Sequence, residues 1–187
     1  MSKKTPQKPW RASVLTLFPE AFPGVLGASI IGGAQKSGLW MLETVDIRDF
    51  SVKRHRTVDS PPAGGGPGMV LKPDVAAKAI DSVVSALKDE QSSEAQDRPL
   101  IYLTPRGKPL TQKRVRELAS GPGLIVFCGR FEGLDERVIE GRQMEEISIG
   151  DFVLAGGEAG AQVLIEACVR LLPAVLGEPQ SASEESF

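Results

Sequence analysis

Three glycine-bearing segments each follow an apolar run, at the kind of strand end where α/β proteins hold ligands. They are Thr104-Pro105-Arg106-Gly107, then Gly129-Arg130-Phe131-Glu132-Gly133, then Ile149-Gly150-Asp151-Phe152-Val153-Leu154-Ala155-Gly156-Gly157-Glu158. Glycine permits positive φ and lets backbone N–H and C=O groups come close to a bound molecule. Walls made of backbone suit an adenine or a ribose, which offers donors and acceptors but little charge. Any one of the three is an ordinary tight turn taken singly; three in series behind strands point to a ligand site. A fourth segment, residues 63–69 (AGGGPGM), is either a backbone laid against something large, a mobile cover or a flexible loop.

Other chemistry is excluded more simply. No G-x-x-x-x-G-K-[ST] occurs and no G-x-G-x-x-G follows a strand, which removes P-loop enzymes, Rossmann dehydrogenases and Rossmann-type methyltransferases. The chain has one histidine, His55, and two cysteines, Cys128 and Cys168, each inside an apolar stretch. That set speaks against a zinc site and a disulfide framework, and no G-x-S-x-G elbow accompanies the histidine. No metal is expected. Net charge is -2, mildly acidic for a nucleic-acid binder. Positive charge is nonetheless bunched, in Lys53-Arg54-His55-Arg56 and in Lys108, Lys113, Arg114 and Arg116.

These residues need a frame. Residues 13–18 read as a buried strand closed by Pro19, and residues 41–47 alternate as a half-buried one. Short apolar runs at 100–103 and 124–128 have the pattern of interior parallel strands, with a further candidate at 146–149. Asp74 is placed to cap a helix whose stripe is Ala76, Ala79, Ile80, Val83, Val84 and Leu87. Further helices are expected at 111–119, 135–140 and 159–172, the last stopped by Pro173. Strands alternating with helices give an α/β fold with a mostly parallel sheet.

The 187 residues suit one domain, or one domain with a tail. No apolar run approaches the roughly 20 residues that cross a bilayer, and residues 1–7 lack the pattern of a signal peptide. A cytoplasmic location without membrane association is the expectation. Residues 88–98 and 177–187 are polar and aperiodic. The second reads as the start of a linker to an absent domain, which leaves 1–176 as the folded unit.

The segments LTLFPEAF, RDFSVKRHRTVDSPPAGGGPGM, IYLTPRGKPL, VFCGRFEGLDERV, ISIGDFVLAGGE and RLLPAVLG, in that order, closely resemble the bacterial tRNA (guanine-N1)-methyltransferases, the TrmD family. The likeness runs from about residue 14 to 187. It implies a SPOUT-class fold whose C-terminal part is threaded into a deep trefoil knot, an exception that periodicity alone does not reveal. It further implies a homodimer with its active site at the subunit interface and S-adenosyl-L-methionine as methyl donor. The expected substrate is tRNA, methylated at N1 of guanosine 37 beside the anticodon, with a C-terminal domain to grip it.

Matched by position, the resemblance assigns the cofactor to Gly129, Ile149, Gly150, Asp151, Phe152, Val153 and Leu154, with Gly156 and Gly157 following. Tyr102, Leu103, Thr104 and Pro105 match the loop beside the ribose and methionine, and Glu132 lies in the G-R-[YF]-E-G motif. Arg170 matches an arginine that acts on the target guanine, though from sequence alone it is a cation in the last turn of a helix. Glu185 stands where the family usually has a general-base aspartate. Lys53, Arg54, Arg56 and Asp59 become candidate RNA contacts. Ala63 departs from a tyrosine common in the family.

The implied chemistry is coherent. Guanine N1 carries a proton at neutral pH and is a poor nucleophile until a carboxylate accepts it. Charge then develops toward O6, where a guanidinium stabilises it. Two rivals remain at this stage. Another SPOUT enzyme acting on a ribose hydroxyl or a different base fits Arg170, Glu185 and the GGGPGM segment less well. A nonenzymatic RNA- or nucleotide-binding module would give no heat with S-adenosylmethionine.

Overall fold

In the computed structural model, which describes residues 8–62, 64–89 and 97–176, strands and helices alternate along the chain. The order is β1 (Trp10–Thr16), α1 (Ser29–Lys36), β2 (Trp40–Asp46), β3 (Asp59–Ser60), β4 (Val70–Leu71) and α2 (Pro73–Asp89). Then come β5 (Leu100–Pro109), α3 (Gln112–Ser120), β6 (Gly123–Phe127), α4 (Glu136–Gly141), β7 (Glu145–Ser148) and α5 (Glu158–Val169). Five strands form one sheet in the order β2-β1-β6-β5-β7, all pairs parallel, while β3 and β4 make a small antiparallel ladder. Residues 177–187 and most of the polar stretch 88–98 lie outside the described residues.

Alternation along the strands divides the core in two. Val14, Leu124, Val126, Ile101 and Leu103 face α1, α3 and α5, together with both cysteines. Leu15, Ile125, Phe127 and Tyr102 face α2 and α4. A parallel sheet covered on both faces explains why these strands read as near-continuous apolar runs. Val14, Leu15, Leu124, Val126 and Phe127 are fully buried. Each such side chain contributes roughly 1.5–3 kcal/mol from burial.

Several sequence expectations are corrected here. Thr104-Pro105-Arg106-Gly107 is not a turn that ends a strand. β5 continues to Pro109, and Leu103 and Lys108 both stand opposite Ile147, so the four residues loop out of the ladder as a bulge. Pro105 lacks the N–H a ladder needs, which suits a bulge. Asp74 does not precede its helix: Pro73 opens α2, and the acid sits in the first turn. Ile47 leaves the strand for a 3-10 turn capped by Asp46, whose Oδ1 accepts from the Arg48 N–H at 2.8 Å. Helix α1 was not expected, because Gly32 and Gly33 interrupt its pattern. α5 ends at Val169 with Arg170 as its C-cap, and Leu171 and Leu172 continue in tighter turns. Arg98 is buried and donates to Ser13 Oγ at 3.3 Å rather than lying in an open connection.

One glycine fixes a crossing. Gly123, at φ +141°, begins β6 where a Cβ would overlap the Arg11 carbonyl oxygen of β1. The start of β6 can approach the centre of the sheet only without a side chain. This sets the height of the β6 end that carries the second glycine loop.

Candidate active site

The C-terminal ends of β6 and β7 and the middle of β5, where its bulge begins, open into one cavity of about 280 Å³. Thr111 and Asp135 cap the helices that return the chain from β5 and to β7, each accepting a backbone N–H from the first turn. Reversals of direction between β5, β6 and β7 place their loops side by side, the arrangement that makes a crevice in open α/β sheets. Gly157 N–H donates to Gly129 C=O at 3.0 Å and ties the second loop to the third. The Ser148 hydroxyl donates to Gly150 C=O at 2.9 Å and folds the exit from β7.

The wall contains Tyr102, Leu103, Thr104, Pro105, Gly129, Glu132, Ile149, Gly150, Phe152, Val153, Leu154, Gly156 and Gly157. Of the residues assigned to a cofactor from sequence, only Asp151 stays off the wall, and it is exposed. Arg130, Phe131, Gly133, Ile147, Ser148, Ala155 and Gly160 join the wall without having been assigned. Gly160 could have been found, since it follows the last loop by less than one helical turn. Arg130 and Glu132 are the only charged side chains among the described residues of this wall. The mouth is apolar: Phe131 is 50% exposed, Phe152 54% and Val153 82%.

Tyr102 forms part of the floor. Its ring meets Phe127 edge-on at 6.3 Å, and its hydroxyl oxygen accepts from Leu134 N–H at 3.2 Å. Burial raises the phenol above its ordinary value, so it stays neutral at pH 7. A Cβ on Gly129 would lie 2.8 Å from Tyr102 Cε2, and one on Gly133 3.0 Å from its oxygen. The glycines of the second loop therefore serve close packing over this ring, not the opening of space for a ligand. Cys128, behind the same loop, is buried, which pushes its thiol well above the ordinary range and removes it as a nucleophile.

The fourth glycine segment docks on this site. Glu132 N–H donates to Met69 C=O at 2.9 Å, and Leu71 N–H to Gly133 C=O at 3.3 Å. Gly68, at φ +89°, presses so closely on the Glu132 side chain that a Cβ would lie 2.7 Å from its Cγ. Gly64, Gly65 and Gly66 face open space. The segment is thus both a backbone laid against a neighbour and an open loop.

A second cavity, about 650 Å³, adjoins the first and shares Arg130, Phe131, Glu132, Leu154 and Ala155 with it. Its own wall brings Phe18, Arg48, His55, Arg56 and Asp59. Arg56 pairs with Asp46 at 3.1 Å and also with Asp49, while Arg48 donates to Leu17 C=O. Lys53 and Arg54 are exposed in the loop but line neither cavity. Arg170 lies off both walls, at the end of α5. Glu185 lies outside the described residues.

No helix among the described residues is long and apolar enough to cross a membrane. Compared with known proteins, residues 10–187 match the family model described as tRNA (Guanine-1)-methyltransferase TrmD. The chain is 60% identical over 178 residues to a tRNA (guanine-N(1)-)-methyltransferase of Rhodopseudomonas palustris strain TIE-1, covering 95% of this chain and 68% of the relative. It is 58% identical over 183 residues to the protein of the same name from Bradyrhizobium diazoefficiens, covering 98% and 70%. Among solved structures it is similar to a tRNA (m1G37) methyltransferase from Aquifex aeolicus. The TM-score is 0.79 at 40% identity, over 91% of this chain and 73% of that one.

Proposed function

The chain belongs to the TrmD family of tRNA (guanine-1)-methyltransferases, and we propose that it moves a methyl group from S-adenosyl-L-methionine, held at the β5 bulge and the ends of β6 and β7, onto N1 of guanosine 37 in tRNA. It is a methyltransferase of SPOUT fold that acts on tRNA. The observation that carries the reading is the adjacency of two cavities of different character. One is walled mainly by backbone and apolar groups, and the other carries three arginines, Arg48, Arg56 and Arg130, beside Asp59, Glu132 and apolar side chains.

The first cavity fits a neutral nucleoside joined to a small cation. Backbone of residues 103–105, 129–133 and 149–157 meets the adenosine, and Glu132 faces the cationic end. When bound, the donor supplies a methyl already activated on a sulfonium. The protein's own task is alignment and exclusion of water. The apolar rim of Phe131, Phe152 and Val153 seals the mouth, while the guanine enters from the second cavity. Asp59 and the basic loop stand beside that entry as RNA contacts, with Lys53 and Arg54 exposed toward solvent. The trefoil knot and a cytoplasmic location complete the reading.

A symmetric dimer is part of the same proposal, supported by the exposed apolar rim. Sedimentation at micromolar concentration should give twice the chain mass; a monomer there would count against a shared site. For the activity, labelled S-adenosylmethionine and an unmodified tRNA transcript should give labelled 1-methylguanosine on nucleoside digestion. The label should disappear when guanosine 37 is replaced by adenosine. Label on a ribose would sink the reading.

A further inference from the structure

Among the described residues, Arg130 is the one charged side chain that lines both cavities while being anchored from behind by a buried acid. Glu158, the first residue of α5, is only 5% exposed although it is a carboxylate. Its Oε1 accepts from the Thr16 hydroxyl at 2.7 Å, at the end of β1. Its Oε2 accepts from Arg130 Nε at 3.0 Å and lies 2.8 Å from Nη2. Arg130 Nη1 donates to Ala155 C=O at 3.2 Å. The guanidinium carbon lies 4.3 Å from the centre of the Phe18 ring, and Phe18 N–H donates to Thr16 Oγ1 at 2.9 Å. Gly156 leaves the space the Arg130 side chain crosses.

This arrangement is more than an ion pair. A guanidinium has five N–H donors. Glu158 takes the Nε–H and lies against Nη2, and Ala155 takes one hydrogen from Nη1, so at least one donor remains on each of the two terminal nitrogens. That pair is what a phosphate accepts in bidentate fashion. A buried acid beneath fixes the plane, so little rotamer entropy is lost when a ligand arrives. The second cavity also carries Arg48 and Arg56, but both pair with Asp46 and the same wall holds Asp59 and Glu132, so it is the fork of Arg130 that would meet an anion there.

We propose that Arg130, held by Glu158 and Thr16 and stacked on Phe18, binds a backbone phosphodiester of the RNA strand and so positions the nucleotide that bridges the two cavities. Glu158 is a positioning residue that acts through Arg130. The inference rests on the tRNA-methylating reading above. It concerns which atom of the RNA meets which atom of the protein.

The test uses the full-length protein and unmodified tRNA, with filter binding across a potassium chloride series. Removing Arg130 alone would strand a buried carboxylate and threaten the fold. The informative variant is therefore Arg130→Gln combined with Glu158→Gln, beside Arg130→Lys. Calorimetry with S-adenosylmethionine reports whether the cofactor wall survives. In the double variant, tRNA affinity should fall about tenfold or more, the scale of a lost charge-assisted contact. The slope of log affinity against log salt should become shallower by roughly 0.7–0.9, one phosphate. Donor affinity is read beside it, because Arg130 also lines the first cavity and holds Ala155 C=O, and the fall in tRNA affinity should exceed any fall in donor affinity by about tenfold. Arg130→Lys keeps the slope but loses affinity severalfold, since an ammonium has no fork. Unchanged tRNA affinity and slope in the double variant overturn the proposal. So does a loss of donor affinity as large as the loss of tRNA affinity with the salt slope unchanged, which would place Arg130 in the donor site instead. Wild-type protein that neither binds nor methylates tRNA would refute the functional reading itself.

Discussion

Gly129→Val is expected to abolish binding of the methyl donor, by on the order of a hundredfold or more, while the chain still folds. The cause is not a side chain thrust into the ligand's space. A Cβ at this position points at Tyr102, 2.8 Å from the ring edge and 3.1 Å from its oxygen. Tyr102 cannot yield. Its ring is buried against Phe127, and its oxygen holds the Leu134 N–H. The loop must move instead, and Gly129 C=O carries the Gly157 N–H that joins it to the third loop. Two walls of the cavity shift together, and a backbone-lined site displaced by about 1 Å loses its alignment. Overpacking of this kind costs typically 1–3 kcal/mol of stability, so the melting temperature should drop by several degrees without loss of cooperativity. Calorimetry with S-adenosylmethionine and a thermal melt read the two effects separately. Normal donor affinity in a folded Gly129→Val protein would remove this loop from the site. Pairing Gly129→Ala with Tyr102→Leu should restore much of the binding that Gly129→Ala loses, because it removes the ring edge. An uncorrected double variant would mean that crowding is not the cause.

This example shows what the residues made legible and what they did not. The interior strands could be read because burial on both faces leaves few polar positions, as in Leu124-Ile125-Val126-Phe127. The glycine loops could be read because they follow those runs directly. Their role could not. Gly129 signals a close approach, but nothing local says that Tyr102, on a neighbouring strand, is what it approaches. The β5 bulge was hidden for a similar reason. Thr-Pro-Arg-Gly has turn chemistry in isolation, and only the pairing of Leu103 and Lys108 with the same Ile147 shows that the strand resumes. Helix α1 was invisible because two glycines break its stripe, while its packing depends on a glycine: a Cβ on Gly32 would overlap the Gly27 backbone.

The charged residues divide in the same way. Arg170 as a helix-end cation and Arg56 as part of a basic run were both visible. That Arg56 is already paired with Asp46 and Asp49 was not, since the acids precede it across a 3-10 turn. Arg130 and Glu158 were both present in the glycine motifs, yet only the fold brings them together with Thr16. A buried acid bound to an arginine between two cavities is a tertiary fact. It has no period and no spacing.

Glu185→Gln is expected to reduce turnover by roughly a hundredfold or more, the scale typical of losing a general base. The residue lies outside the described residues, so the expectation rests on Glu184-Glu185-Ser186-Phe187 matching the family's acidic-Ser-Phe segment. Of the two carboxylates on the second cavity, Glu132 is engaged with the donor in this reading, which leaves Asp59, whose backbone pairs with Leu71 in the β3–β4 ladder, as the alternative. Arg170 is a cation, suited to charge at O6 and not to accepting the N1 proton. Glutamate and aspartate have nearly the same intrinsic acidity, so proton acceptance survives the exchange from the family's usual aspartate. Its longer side chain requires the backbone to sit slightly farther from N1. Glu185→Asp should therefore retain much of the activity, and Glu185→Gln should leave donor affinity within about twofold, since the residue acts on the guanine. Single-turnover methylation of tRNA, with calorimetry on the donor, separates these effects. If Glu184→Gln is the inactive variant and Glu185→Gln is not, the match to the family is displaced by one residue. If both turn over normally, the base lies elsewhere, and Asp59→Asn becomes the variant whose loss of turnover would locate it.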